Sequence, residues 1–499
     1  MASILDRPVR PGMAGRLFQG QPAWFGTLFW MDMWERFSFY GMTAILYLYA
    51  SAPVSDGGFG LPAAGAAALF GTYMSLVFLA ALPGGWLADR VLGTRRAVVL
   101  GGAGIAAGHA VLSLPVRWSL YVGLLLVIAG TGLLKPAMAA LVTSPHRDDD
   151  RRREAAMSIF YMSIQLSALL APVVVGLLAE KVAWHLGFGA AAIGMTAGLI
   201  VYAAGARRFG DLGLRPAAPL PPERRRVLGR RAGTVLGAVG LALVVGATTG
   251  VVHIEHVLIA SGLLLLALPV GYVVALRRIP ALTSADRGRL GAYVVLLAGS
   301  SIFWLLYAQG GSVLAMFAQR HTDRDVAGWT VPVSWFQSAH PLFILVLAPL
   351  FAALWLRLGR RVDVPVKFAG ALVCAGASWL LLAVAAHLAS GGDPVSPLWL
   401  LTAFLLQVCG ELALAPVGLS LAVKVAPAGY TNQYLGLFWL FAAVGAGIGG
   451  QLAALAETLS LSAYFLLFGA LATAVGVVLF GAVRWLRGHV GDAPAAPTA

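Results

Sequence analysis

Apolar runs of about 20 residues recur from residue 22 to residue 485, and they limit what this chain can fold into more than any other feature. A helix rises about 1.5 Å per residue, so a run of that length crosses the roughly 30 Å hydrocarbon layer of a bilayer. We read fourteen: 22–50, 64–88, 96–115, 118–142, 154–179, 183–205, 231–249, 256–277, 289–317, 334–357, 364–388, 397–422, 431–454 and 460–485. Lipid cannot satisfy backbone amides, so each run is expected to be a helix. With 59% hydrophobic and only 11% charged residues, against about 25% charged in a soluble protein, the chain reads as an all-α polytopic membrane protein.

The net charge of +14 does not point to nucleic acid, because the arginines sit in alternate loops. Arg90, Arg95 and Arg96 share one loop, Arg151 to Arg153 another, and Arg224 to Arg226 with Arg230 and Arg231 a third. The positive-inside rule places these loops and both chain ends in the cytoplasm. The first twenty residues carry Arg7, Arg10 and Arg16 but no compact apolar core, so residues 1–21 are expected to be a cytoplasmic tail without a signal peptide. Cys374 and Cys409 lie within spans and read as small buried apolar groups.

A Pro- and Arg-rich stretch at 206–230 reads as a cytoplasmic linker. It separates a first block of six spans, 22–205, from the uniformly aliphatic pair at 231–277, which read as packing helices. A second block of six follows at 289–485, with a tail over 486–499. Six plus six spans is the layout of a transporter with a site at the midplane of two pseudo-equivalent halves.

Charge inside the first span is the main anomaly. Asp32, Glu35, Arg36 and Tyr40 are spaced i, i+3, i+4 and i+8, which puts them on one helix face where they can satisfy one another. Charges at that depth are expensive and mark function by default. Lys135, one of four lysines in the chain, lies mid-span beside Pro136 and is expected to meet Asp32, Glu35 or a substrate carboxylate. His109 is expected to be a satisfied interhelical residue.

These residues fall in recognisable patterns. The stretch Gly84-Gly85-Trp86-Leu87-Ala88-Asp89-Arg90-Val91-Leu92-Gly93-Thr94-Arg95-Arg96 resembles the loop 2–3 signature of the major facilitator superfamily, and Gly85, Asp89, Arg90, Gly93, Arg95 and Arg96 read as a gating loop. Asp32-x-x-Glu35-Arg36-Phe37 followed by Tyr40-Gly41 resembles the E-x-x-E-R-F motif of the proton-dependent oligopeptide transporter family, with aspartate for the first glutamate. Gly130-Thr131-Gly132-Leu133-Leu134-Lys135-Pro136, Phe160-Tyr161-Met162-Ser163-Ile164-Gln165-Leu166-Ser167 and Gly410-Glu411-Leu412 with Pro416-Val417-Gly418-Leu419-Ser420 are similar to further signatures of that family.

The resemblance implies the major facilitator fold, two six-helix bundles plus two extra transmembrane helices, and proton-coupled uptake of di- and tripeptides by alternating access. It implies salt bridges and proton coupling through Asp32, Glu35, Arg36, Lys135 and Glu411. A substrate pocket would draw on Arg36, Tyr40, Tyr73, Lys135, Tyr161, Gln165, Trp304, His340, Glu411, Ser420 and Phe438. The peptide ammonium would lie near Glu411 and its carboxylate near Arg36 and Lys135, with side chains left to a tolerant wall. Peptides, protons and lipid are the expected partners; nucleic acid, metal and cofactor are not, and the expected state is a monomer in the bacterial cytoplasmic membrane.

The departures bear on mechanism. Phe303-Trp304-Leu305-Leu306-Tyr307-Ala308-Gln309 resembles F-W-x-x-F-E-Q, yet Ala308 stands where many members carry a carboxylate, so no proton can be carried there. His340 replaces an asparagine in Gln337-Ser338-Ala339-His340-Pro341; an imidazole can take up a proton or act as a neutral amide substitute. Phe438-Trp439 shifts an expected tryptophan by one position. These changes leave open the same fold moving a non-peptide solute, or exporting a drug or metabolite. An enzyme is not expected, because no span holds a His-x-x-x-His or Cys-x-x-Cys spacing.

Overall fold

The computed structural model describes residues 24–143, 150–216, 219–249, 254–280, 282–358, 362–427 and 430–490; the expected tail at 1–21 and the chain beyond 490 lie outside the described residues. Fourteen long helices follow one another. The first seven are α1 Phe25–Ser51, α2 Ala63–Leu87, α3 Thr94–Leu112, α4 Trp118–Thr143, α5 Asp150–Lys181, α6 Trp184–Gly205 and α7 Pro222–Thr248. Then come α8 Ile254–Arg277, α9 Ser284–Ala308, α10 Ala339–Leu358, α11 Val364–Ala389, α12 Leu398–Val425, α13 Thr431–Leu452 and α14 Leu461–Gly481. Ten of these, α2, α4 to α6 and α9 to α14, are long and apolar enough to cross a membrane among the described residues. Helix α1 carries Asp32, Glu35 and Arg36, α3 begins on Arg95 and Arg96, α7 begins in an arginine run, and α8 has a shorter apolar stretch, Gly262–Arg277.

Two boundaries differ from the sequence reading. Helix α7 starts at Pro222, so the arginines at 224–231 are helical rather than part of an irregular linker. Proline is at home in a first helical turn, Glu223 complements the helix dipole there, and arginine is a good helix former. The apolar run at 289–317 is not one helix, because the chain tightens at Gln309–Gly311 and restarts as Val313–His321. At the head of α9, Thr283 accepts the Asp286 amide at 3.1 Å and Asp286 accepts the Thr283 amide at 3.0 Å, a reciprocal cap.

The chain divides into two compact units. The first comprises residues 1–40, 80–170 and 189–225. Its core joins Phe25, Leu28 and Met31 of α1 to Ile105 of α3, Leu134 and Met138 of α4, and Met195 and Tyr202 of α6. The second comprises residues 41–79, 171–188 and 226–499, so it unites the later half of α1, the first part of α2 and the end of α5 with the C-terminal helices. Within it α13 packs on α9 and α8, and α11 on α12 and α14.

In the second unit, α2 and α13 meet backbone to backbone. A Cβ on Gly71 would lie 2.5 Å from the Gly450 Cα, which only a glycine pair allows. Ser75 Oγ donates to the Ala443 carbonyl at 2.8 Å, and the Ala64 amide to Glu457 Oε1 at 2.7 Å. The carboxylate of Glu180, at the end of α5, accepts the Val333 and Ser334 amides at 2.7 and 2.9 Å and the Ser334 hydroxyl at 2.6 Å. These contacts tie α2 and α5 to the C-terminal helices at one end of the unit.

Candidate functional site

The first unit gathers the charges of α1. Asp32 and Glu35 are each 1% exposed, and Arg36 is buried with them. Arg36 Nε lies 2.8 Å from Glu35 Oε2 and 3.6 Å from Asp32 Oδ1, so the guanidinium favours Glu35. On the other side of the aspartate, Ser163 Oγ of α5 lies 2.7 Å from Oδ2 and 2.6 Å from the Phe160 carbonyl oxygen. A hydroxyl has one proton to donate, and a carbonyl can only accept. The Asp32 carboxylate and the Phe160 carbonyl therefore share the one Ser163 proton. The two carboxylates of the motif are set unequally: Glu35 makes the shorter ion pair with Arg36, while Asp32 makes the longer one and accepts from a hydroxyl.

Phe39, one turn further along α1, holds the cations. The Lys135 ammonium lies 4.6 Å and the Arg36 guanidinium carbon 5.9 Å from the centre of its ring. Gln165 Nε2 donates to the Tyr161 hydroxyl at 2.9 Å, and the Tyr161 ring is exposed. Ser167 Oγ donates to the Met33 carbonyl at 2.6 Å, tying α5 to α1. Tyr40 is half-buried at the end of this unit.

The residues expected to form a gating loop are in the same unit. Ala88–Leu92 forms one widened turn that leaves Asp89, Arg90 and Arg96 exposed. Gly93 turns the chain at φ +80°, with room for no side chain, since a Cβ would lie 2.7 Å from the Leu214 carbonyl oxygen. Gly85 faces the Pro136 ring of α4. Arg95 donates to the Gly210 and Ala206 carbonyls, both at 2.8 Å, and covers the Phe209 ring. Its role is to fasten the segment after α6, a partner that sequence spacing did not reveal.

The second unit holds further residues expected at a pocket. His340 Nε2 of α10 lies 3.2 Å from Glu411 Oε2 of α12, and the Tyr307 ring of α9 stands edge-on to the imidazole at 5.1 Å. Both atoms of that pair are enclosed and make no hydrogen bond, and Gln407 Nε2, Gln337 Nε2 and Trp304 Nε1 are likewise buried without a hydrogen-bond partner among the described residues. Buried polar atoms in that state are what a polar ligand or water satisfies. Ala308 is buried and offers no titratable group.

Not every expected pocket residue faces open space. Phe438 is 0% exposed, wedged against Gly418, while its neighbour Trp439 is 40% exposed, stacks on Phe78 at 6.0 Å and lies beside Trp304. The exposed ring at this step of α13 is thus Trp439. Tyr73 is also enclosed, and Ser420 is exposed on α12. His109 is fully enclosed, and neither ring nitrogen has a hydrogen-bond partner, so the expectation of a satisfied histidine does not hold among the described residues.

The profile of the POT family matches residues 95–468. The chain belongs to the POT family. A relative named a di-/tripeptide transporter, from Lactococcus lactis subsp. cremoris, is 34% identical over 93% of this chain and 95% of its own. Among solved structures, a mutant peptide transporter POT in complex with alafosfalin is 40% identical over 96% of this chain and 97% of that one, with a TM-score of 0.88. A POT family transporter in complex with 5-aminolevulinic acid is 32% identical over 94% and 98%, with a TM-score of 0.90. This POT family chain is accordingly a multi-pass membrane protein with the major facilitator fold that its spans and motifs led us to expect.

Proposed function

We propose that this chain is a proton-coupled importer of di- and tripeptides working by alternating access, with two six-helix bundles, 22–205 and 289–485, flanking the pair of extra helices. The observation that carries the reading is the unequal setting of Asp32 and Glu35. With both carboxylates ionised, Asp32, Glu35, Arg36 and Lys135 sum to zero; with a proton on Asp32 they sum to +1. An unbalanced charge out of water is costly, so the protonated cluster calls for an anion, and a peptide carboxylate on Arg36 and Lys135 supplies it. Proton and peptide then favour each other's binding, which is what symport requires. Within the second unit, Glu411 beside His340 is a carboxylate that a ligand ammonium can meet.

The positive-inside pattern supports cytoplasmic chain ends and the cytoplasmic membrane, so the α2, α5 and α13 contacts of the second unit belong to the outer side. We take the monomer as the working unit. 5-Aminolevulinic acid, the ligand of one related transporter, carries one ammonium and one carboxylate, as a dipeptide does. It favours a second reading, in which the site takes small non-peptide zwitterions. A thermal-shift screen of the purified protein against di- and tripeptides, 5-aminolevulinic acid and glycine decides between them, since a ligand stabilises by mass action. Shifts with a varied peptide panel support the first reading; shifts with 5-aminolevulinic acid alone support the second and exclude the first.

A further inference from the structure

The His340 and Glu411 pair points to a substrate class beyond zwitterions. Glu411 sits within a membrane span, and its near partner is not an arginine or lysine but an imidazole, 3.2 Å away. A carboxylate out of water needs a counter-charge. With a neutral imidazole the pair carries −1, and a ligand ammonium completes it; with an imidazolium the pair carries no net charge and needs none. The titratable groups facing the imidazole are Glu411 on α12, the helix packed against α10, and Tyr307 on α9. An asparagine, the residue the resemblance led us to expect here, could hydrogen-bond the same carboxylate but could not change its charge.

From this geometry we infer that His340 lets the site accept carboxylates that lack an ammonium, such as N-acylated dipeptides, by holding a proton where the ligand's ammonium would otherwise sit. The inference rests on the peptide reading of the site. It also sets a proton count. An N-acyl dipeptide, one charge more negative than the zwitterion, enters with one more proton, held on His340. The ligand and the His340 and Glu411 pair then carry the same net charge for both ligands.

The test compares dialanine with N-acetyl-dialanine on the purified full-length protein, by calorimetric Kd between pH 5 and 8 and by proton uptake in weakly buffered solution. For the wild type we expect both to bind, with the acetylated ligand gaining up to about tenfold more per pH unit of acidification and taking up about one more proton. In His340→Asn the Kd ratio of acetylated to free dipeptide should rise at least tenfold. Wild-type binding of dialanine but not of the acetylated ligand overturns the inference and spares the peptide reading. So does equal proton uptake for the two ligands, a wild-type result that needs no variant. Binding of neither ligand overturns both.

Discussion

Asp32, Glu35 and Ser163 carry the account at the scale of single residues. Glu35 is matched by Arg36 at 2.8 Å, whereas Asp32 shares the single proton of Ser163 with a backbone carbonyl. Removing that hydroxyl should change how Asp32 holds its proton. Ser163→Ala is expected to displace the pH profile of peptide uptake by the order of one pH unit, about tenfold in proton affinity, while Ser167→Ala, which loses a bond to the Met33 backbone, should leave the profile in place. Matching profiles for wild type and Ser163→Ala would argue against the proton on Asp32. His109 provides a residue-scale control outside the site. Its imidazole is enclosed with neither nitrogen hydrogen-bonded among the described residues, so His109→Leu should raise thermal stability by about 1–3 kcal/mol; a lower melting temperature in the variant would mean the imidazole has a partner. The charges of the site were legible in the sequence, because three charged residues in a span announce themselves. Ser163 and Trp439 were not, since a serine and a tryptophan are ordinary in a span and only packing tells which one meets a carboxylate or an open face.

At the scale of elements, hydropathy placed the apolar runs on helices, ten of them long and apolar enough to cross a membrane among the described residues, but missed where helices break and begin. The run at 289–317 has no polar residue strong enough to mark its interruption, which falls at Gln309–Gly311 where two glycines sit together. The start of α7 was hidden by its arginines, which read as a loop although they suit a solvated helical turn. Long-range ties were also illegible, because Glu180 and Ser334 are 154 residues apart. That tie has a consequence under alternating access. The Glu180 carboxylate receives three short hydrogen bonds at the head of the Val333–Ser338 turn, so Glu180→Ala should favour the state in which this end of the second unit has opened. A loss of even about 1.4 kcal/mol shifts that equilibrium tenfold. Spin labels on the exposed Val182 and Val326 should report a larger share of long distances in the variant. An unchanged distance distribution would make Glu180 a static cap with no part in gating. Gly71→Ala, which forces α2 from Gly450, should act in the same direction.

At the scale of the whole molecule, the sequence was most informative about class and least about mechanism. Fourteen apolar runs and alternate arginine loops specify a multi-pass helical protein, and the motifs on α1, α4, α5 and α12 match the family that the comparison finds over residues 95–468. The division of labour within Asp32-x-x-Glu35-Arg36 emerged only with coordinates, because it depends on which oxygen meets which donor. With Ala308 unable to titrate, we propose that Asp32 carries the driving proton, and the cluster's charge of zero or +1 links that proton to the peptide carboxylate. The most direct test is accumulation of labelled dialanine in proteoliposomes under an inward proton gradient, for wild type and Asp32→Asn side by side. The wild type should concentrate the peptide above equilibrium and lose that ability with a protonophore. Asp32→Asn, fixed in the +1 state, should fail to concentrate it while still exchanging internal for external peptide. Gradient-driven accumulation by Asp32→Asn at the wild-type level would contradict the account.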